Sequence, residues 1–308
     1  MTIRICSLLP SATEIVCALG LGKQLVVVSH ECDYPEYVMS KPKATQSLLL
    51  TAKMSSGKID RMVSHHITRG HSLYALDTKL LEKLRPELIL TQELCKVCAV
   101  SYDEVVKAAR ILDGNPSIVS LEPRNVEEIF DNILLIGQLT DRRYEAEKLV
   151  DLLQSRIRKT ASRTRVQHRP RVFCMEWIEP PWVGGHWVPE MVRIAGGFDG
   201  LGKSGEPSTM MDWRKVVQYA PEFIILMPCG FDMKRTVRES ATLTDYPKWR
   251  ELPAVEEGRV YAVDASSYFS RSGPRVVDGV EILASIFHPE VMEAKYPYAV
   301  QRINSKKS

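Results

Sequence analysis

Short apolar runs alternate with segments of helical periodicity along the first 124 residues. The runs are bounded by Gly, Pro or polar residues and are too short for helices, so they predict strands at 3–9, 25–29, 88–91 and 117–121. Apolar residues at helical spacing predict helices at 12–19, 76–84 and 102–112. This alternation of strand and helix predicts a parallel sheet with helices on both of its faces.

The start of the first helix carries its own sequence signal. Ser11 precedes the helical run and Glu14 follows three residues later, which is the spacing of a capping box. Gly20 and Gly22 then supply the residues at which helices commonly end. We therefore expect the helix to begin after Ser11 and to end before Gly20.

The pattern changes between residues 126 and 163, which contain no Pro and only one Gly, Gly137. Helical spacing continues throughout, so the segment predicts one long helix that is bent near Thr140 and Asp141. At the rise per residue of an α-helix, its length would be about 55 Å. A helix of this length is suited to joining two lobes as a rigid rod. The alternative is a pair of packed helices with a turn at Thr140.

The alternation of strand and helix resumes after Pro170. The predicted strands are 171–177, 223–227 and 260–263, and the predicted helices are 189–195, 213–219 and 276–287. The whole pattern predicts an α/β protein of two Rossmann-like lobes joined by a long helix. The predicted divisions are an N-terminal lobe at 1–124, the linking helix at 125–165 and a C-terminal lobe at 166–308.

Composition excludes several classes of function. The net charge of +3 gives no strong attraction for nucleic acid, and the basic run at 156–165 fits a solvated helix face. No stretch approaches the roughly 20 apolar residues that a membrane span requires, so membrane insertion is not expected.

Phosphate-loop, dinucleotide, hydrolase and zinc-protease motifs do not occur, and an enzyme is not expected. The N-terminal residues do not match a secretory signal, which predicts a cytoplasmic protein.

Ligands of open parallel sheets bind beyond the carboxyl ends of the strands. The loops that leave the predicted strands carry large aromatic residues, whose flat rings suit a large planar ligand such as a corrin. Capping of the lobe cores is the alternative role for these rings. Arg275 fits an ordinary helix start, whereas Arg271 could donate to ligand amides or phosphate. The candidate ligand-binding residues are Pro10, Ser11, Tyr34, Trp182, Trp187, Tyr268, Phe269 and Arg271.

Cys95 and Cys98 form a C-x-x-C pair with three interpretations. A structural metal site needs four ligands, and Cys32, Cys229, His30 and His186 could complete it. A redox pair needs an activated thiol, and a third possibility is two small residues in a tight loop. A thiolate or histidine of this group could also be an axial ligand of cobalt. The candidate metal ligands are Cys32, Cys95, Cys98 and Cys229.

Several motifs carry a resemblance to a known family. They are SLLPSATE at 7–14, CDYP at 32–35, PPWVGG at 180–185 and YFSRSGPR at 268–275. In this order they resemble the helical-backbone class of substrate-binding proteins for cobalamin and iron–siderophore uptake, over residues 3 to 288. The cobalamin-binding members are the most similar. The resemblance implies a ligand cleft between the lobes, lined by residues at the positions of Tyr34, Trp182 and Phe269.

The resemblance implies a protein that binds cobalamin or a related corrinoid as its ligand and closes by a small hinge motion. Because the chain lacks the family's export signal and lipid-anchor cysteine, a permease partner is in doubt, and carriage, storage or sensing in the cytoplasm is expected. One alternative is a metalloprotein or redox enzyme whose cysteines hold iron, zinc or an iron–sulfur centre. Another is a cleft that binds a protein partner.

Overall fold

The computed structural model describes residues 3–49, 51, 54–69, 71–93, 102–110, 112 and 114–303. Contacts divide the chain into two compact units. The first comprises Met1–Met54, Lys58–Glu122 and Phe130–Asp151. The second comprises Ser55–Gly57, Pro123–Ile129 and Leu152–Ser308. The residues predicted to link two lobes thus contribute to both units, and the boundaries at 124 and 165 stay a prediction.

The first unit is built on a parallel sheet with the strand order β2-β1-β5-β6. A separate antiparallel pair, β3 and β4, lies outside this sheet. The strands are β1 (Ile5–Ser7), β2 (Leu25–Val28), β3 (Thr45–Ser47), β4 (Tyr74–Leu76), β5 (Leu88–Thr91) and β6 (Ser117–Ser120). The parallel sheet was expected from the sequence, whereas β3 and β4 were not.

Helices cover this sheet through a core that includes Cys6, Val27, Leu81, Ile89 and Val105. Apolar residues at helical spacing supply one buried face to each helix, which is why the pattern located most of them. The helices of this part of the chain are α1 (Pro10–Ala18), α2 (Ser56–Thr68), α3 (Thr78–Leu84), α4 (Tyr102–Ala109), α5 (Val126–Leu139) and α6 (Arg143–Thr164), and α2, α5 and α6 contribute residues to both units. Helix α2 was not predicted, because its segment is mostly polar.

The predicted start of α1 is wrong. The helix begins at Pro10, its N-cap is Leu9, and no side chain caps it. Proline is favoured in the first helical turn because its fixed φ suits the helix and its missing N–H needs no partner. Ser11 and Glu14 are consequently buried within the helix rather than forming a capping box.

The expectation of one long helix is also wrong, and the two-helix alternative is the one observed. Helix α5 ends at Leu139, and α6 begins at Arg143. Asp141 between them has a φ of 60°. A continuous right-handed helix contains no positive φ. Thr140 marks the end of α5 by donating its Oγ1 hydrogen to the carbonyl of Ile136 at 2.6 Å.

The second unit contains a mixed sheet with the order β12-β11-β10-β7-β8-β9. Strands β7, β10 and β11 are mutually parallel, whereas β8, β9 and β12 run antiparallel to their neighbours. The strands are β7 (Val172–Trp177), β8 (Trp182–Val183), β9 (Thr209–Met210), β10 (Phe223–Leu226), β11 (Val260–Val263) and β12 (Val300–Arg302). The parallel core strands were predicted, and the short antiparallel ones were not.

Further helices lie in the described part of the second unit. Of these, the sequence predicted α7, α8 and α12, and α8 and α12 have the predicted bounds. They are α7 (Val188–Ile194), α8 (Trp213–Tyr219), α9 (Met233–Glu239), α10 (Pro253–Glu256), α11 (Ala265–Tyr268) and α12 (Val276–Phe287). Short 3-10 helices occur at Glu36–Ser40, Ser240–Asp245, Trp249–Glu251 and Pro297–Ala299. Among the described helices, none has the length and apolar composition that crossing a bilayer requires.

Candidate functional site

The carboxyl ends of β1, β2 and β5 meet at one edge of the first sheet because these strands are parallel. The residues after β1 are held by hydrogen bonds: Ser7 Oγ donates to the Leu9 carbonyl at 2.9 Å, and Thr13 Oγ1 donates to Ser7 Oγ at 2.8 Å. Of the candidate residues here, Pro10 is half-buried at the start of α1, and Ser11 is buried. Ligand contact at these two positions stays a prediction.

Tyr34 is the candidate of this unit that the structure leaves open to solvent. It follows β2 in a loop, and its side chain is 47% exposed. An exposed ring of this size at a strand end is available to a ligand without rearrangement of the core. The prediction that Tyr34 binds the ligand is compatible with this position.

Two of the four candidate metal ligands, Cys32 and Cys229, lie in the described part of the chain. Cys32 is only 2% exposed, and its Sγ lies 3.1 Å from the buried Thr13 Oγ1. Cys229 is half-buried after β10 in the second unit. Cys95 and Cys98 lie outside the described residues, so their three interpretations stay predictions. Within the described ranges, no group of three or more His, Cys, Asp or Glu side chains could hold a metal ion, and a site that includes Cys95 and Cys98 stays a prediction.

His30 lies immediately after the end of β2 and has a fixed environment. Its backbone N–H donates to Thr45 Oγ1 at 3.0 Å, and its Nδ1 lies 2.7 Å from the same oxygen. The ring also packs against Tyr74 at a centroid distance of 5.6 Å. Burial, with a smaller contribution from the charge of Lys43, lowers the pKa of His30, so the imidazole is neutral at pH 7.

Three large side chains form a row across the antiparallel part of the second sheet. Trp182 on β8 pairs with Trp177 on β7 and with Met210 on β9. Directly paired residues of antiparallel strands point to the same face, so Trp182 and Met210 are neighbours, whereas the register between β7 and β8 is irregular just before Trp177. We call the three residues the Trp–Met row. Met210 is 64% exposed, the two indoles are half-buried, and Phe231 packs edge-on against Trp177 at 5.2 Å.

The sequence identified Trp182 but missed the rest of the row. Trp177 was predicted only as part of a strand, and Met210 lies in a two-residue strand that periodicity cannot detect. The indole Nε1 of Trp182 is shut off from solvent and has no hydrogen-bond partner in the described part of the chain. The indole Nε1 of Trp177 donates to the Glu179 carbonyl at 3.1 Å, so both indole nitrogens are already occupied or shut off and the row presents mainly carbon and sulfur atoms.

The remaining candidates of the second unit are buried. Trp187 is 9% exposed, and its Nε1 donates to the Phe269 carbonyl at 2.9 Å. Burial raises the pKa of Tyr268, and the guanidinium of Arg275 lies over its ring at 5.6 Å. Arg271 is buried, and its Nη2 donates to a neighbouring serine hydroxyl at 3.3 Å. The core-capping alternative describes the positions of these rings, and their contact with a ligand stays a prediction.

Two buried carboxyls support the loops beside Trp182. Glu176 accepts hydrogen bonds from Ser208 Oγ at 2.7 Å and from the Gly185 amide at 3.3 Å, while burial raises its pKa. Asp199 Oδ1 accepts from the amides of Gly202 and Leu201 at 2.8 and 3.0 Å. Burial raises the pKa of Asp199 to about 6. Sequence analysis missed both groups, because isolated acidic residues carry no local signal of burial.

Comparison with known proteins gives a consistent family assignment. The family described as periplasmic binding protein matches residues 5–266. A vitamin B12-binding protein of Vibrio cholerae is 24% identical over 289 residues, covering 90% of this chain and 86% of that protein. An uncharacterised ABC transporter substrate-binding lipoprotein of Bacillus subtilis is 23% identical over 297 residues, covering 94% and 81%. A periplasmic heme binding protein from Pseudomonas aeruginosa has the same fold, with a TM-score of 0.73, 18% identity and 100% of both chains covered.

These findings correct two expectations and remove the support for a third. The expected cytoplasmic location is wrong, because the relatives are periplasmic or lipoprotein substrate-binding proteins. The doubt about a permease is not supported, because the Bacillus subtilis relative is a component of an ABC transporter. The alternative of a redox or metal enzyme has no support among these binding proteins. The matched residues span most of the sequence, and this chain belongs to the periplasmic binding protein family.

Proposed function

We propose that this chain is the substrate-binding component of an ABC transporter and that its ligand is a planar metal–tetrapyrrole, with cobalamin or a related corrinoid as the first choice. The vitamin B12-binding relative supports the corrinoid, since its likeness extends over 90% of this chain. The substrate-binding lipoprotein of Bacillus subtilis supports delivery to a permease.

The Trp–Met row is the observation that carries this proposal. Trp177, Trp182 and Met210 are paired across three adjacent strands, and Trp182 and Met210 place an indole and a flexible thioether on one face of the second sheet. Indole rings offer a large flat contact area at low cost in conformational entropy, and methionine adapts to the outline of its partner. A flat, largely apolar macrocycle matches this surface, whereas a small polar solute does not.

The expected contribution of one ring follows from its area. A Trp side chain buries about 150–250 Å² in a full contact. Trp182 is already half-buried, so only part of this area is left for a ligand. A ligand that covers a further area of about 60 Å² would gain about 1.5 kcal/mol at about 25 cal/mol per Å². Loss of this contact corresponds to about a tenfold increase in Kd.

Calorimetric titration with cobalamin, hemin and a ferric siderophore tests the proposal. We expect tight binding of a tetrapyrrole, and about tenfold weaker binding by Trp182→Ala. The matched control is Tyr144→Ala, which removes a 72% exposed ring on α6 and should bind like wild type. Absence of heat with both tetrapyrroles would refute the ligand class. Equal affinity of Trp182→Ala and wild type would refute the role of the row.

A further inference from the structure

The strand β2 presents His30 on a rigid support. Ser29, between the strand and the histidine, donates its amide to the Ser7 carbonyl of β1 at 2.8 Å. Its own carbonyl accepts the Cys32 amide at 3.1 Å. Backbone bonds on both sides of His30 therefore fix its Cα at the carboxyl edge of the first sheet, where ligands of such sheets bind.

The hydrogen bonds of Thr45 accommodate the tautomer of His30 that is protonated at Nδ1. Thr45 Oγ1 lies 3.1 Å from Ser29 Oγ and 2.7 Å from His30 Nδ1. When the Thr45 hydroxyl donates to Ser29, it accepts from Nδ1–H, and Nε2 then carries the free lone pair.

The free nitrogen is also open to a ligand. Within the described ranges, Nε2 of His30 has no hydrogen-bond partner. It is also absent from the buried unpartnered atoms of these ranges, so it is accessible to solvent. A neutral imidazole whose other nitrogen donates to a fixed acceptor is the usual form of a metal-binding histidine.

Two other side chains that the sequence suggested as axial ligands, Cys32 and His186, are less suitably placed to coordinate a metal. The thiol of Cys32 is buried against Thr13. His186 in the second unit has a positive φ of 50°, and in the described part of the chain its ring has no hydrogen-bonded acceptor to fix a tautomer. A metal inside a macrocycle has its equatorial ligands already, so one protein nitrogen is enough.

We infer that Nε2 of His30 is an axial ligand of the metal in the bound tetrapyrrole, with Thr45 as the residue that orients it. The inference rests on the proposed function and names the protein donor within it. It restricts the ligand to chelates whose metal has an exchangeable axial position, such as an iron porphyrin or a corrinoid that carries an axial water.

Aquocobinamide and hemin are suitable probes, because each has an exchangeable axial position. The cobalt(II) form of the bound cobinamide should show nitrogen superhyperfine splitting in its electron paramagnetic resonance spectrum. His30→Gln should lose this splitting, bind about tenfold more weakly, and regain the splitting when free imidazole is added. His65→Gln, which removes an exposed histidine of α2, is the matched control and should behave like wild type.

A second variant tests the positioning role. Thr45→Val keeps the imidazole but removes its acceptor, and loss of such a partner typically weakens metal binding by about 10–100-fold. We expect weaker coordination with circular dichroism unchanged. If Thr45→Val coordinates as wild type does, the positioning role is refuted.

The outcomes separate the inference from the proposed function. Binding by wild type with a spectrum unchanged in His30→Gln overturns the inference alone, as does loss of the nitrogen signal in His186→Gln instead. Failure of wild type to bind either probe or cobalamin overturns the proposed function itself, together with the inference.

Discussion

Asp199 makes the stability of the second unit depend on pH. Its Oδ1 accepts two backbone amides, whereas its Oδ2 is shut off from solvent and has no hydrogen-bond partner among the described residues. Burial favours the neutral carboxyl and raises its pKa from 3.8 to about 6. At neutral pH the folded unit therefore contains a carboxylate that would be more stable in the unfolded chain.

The sign and size of the effect follow by linkage. Because the folded pKa lies above the unfolded one, the contribution to stability is complete below pH 3.8 and is lost as pH rises through about 6. The rise in pKa from 3.8 to about 6 corresponds to about 3 kcal/mol at most. Asp199→Asn retains the oxygen that accepts both amides and removes the charge. We expect it to raise the free energy of unfolding by about 1–3 kcal/mol at pH 8 and to change it little near pH 4.

Urea denaturation followed by tryptophan fluorescence measures this effect. All five tryptophans lie between residues 177 and 249, so the signal reports the second unit. The measured quantity is the difference in free energy of unfolding between Asp199→Asn and wild type at each pH. The buried Glu176 makes the stability of both proteins depend on pH, and this contribution cancels in the difference. A difference that stays constant from pH 4 to pH 8 would refute the reasoning.

The control is Asp212→Asn. Asp212 is an exposed N-cap of α8, and hydrogen bonds from Arg214 lower its pKa. Its removal deletes the same charge with the opposite dependence on pH. A rise in stability at pH 8 in both variants would point to net charge rather than to the buried carboxyl of Asp199.

Two further substitutions test the packing of the second unit. Arg156→Gln removes a guanidinium that lies 3.0 Å from the buried Glu281 carboxylate. We expect a loss of about 1–3 kcal/mol in urea denaturation. The control is Arg158→Gln, on the exposed face of the same helix, which should change stability by less than about 0.5 kcal/mol. Equal losses of stability in the two variants would contradict a specific role for Arg156. Gly185→Ala would bring a Cβ to 2.5 Å from backbone atoms of residues 206 and 207. Such crowding is expected to cost about 2 kcal/mol and to weaken ligand binding, whereas wild-type behaviour in both assays would show that the loop is free to move.

Local sequence patterns were reliable where one short segment sets its own structure. The parallel strands are short apolar runs because they are buried, and the predicted 88–91 and 260–263 match β5 and β11. The pattern failed at Thr140, where helical spacing continues through a break that only the φ of Asp141 reveals. It also failed at β8 and β9, which are two residues long and are defined by pairing partners rather than by periodicity.

The sequence by itself determined the α/β architecture and the positions of the loops that leave the strand ends. Strands buried on both faces appear as short apolar runs, and amphipathic helices appear as apolar residues at helical spacing. It could not determine which loop side chains face solvent. Tyr34 is exposed and Phe269 is buried, although the sequence predicted both in loops at strand ends. The direction of a side chain in an irregular segment depends on contacts from distant parts of the chain. Only the tertiary structure brings Thr45 to His30 and Met210 to Trp182.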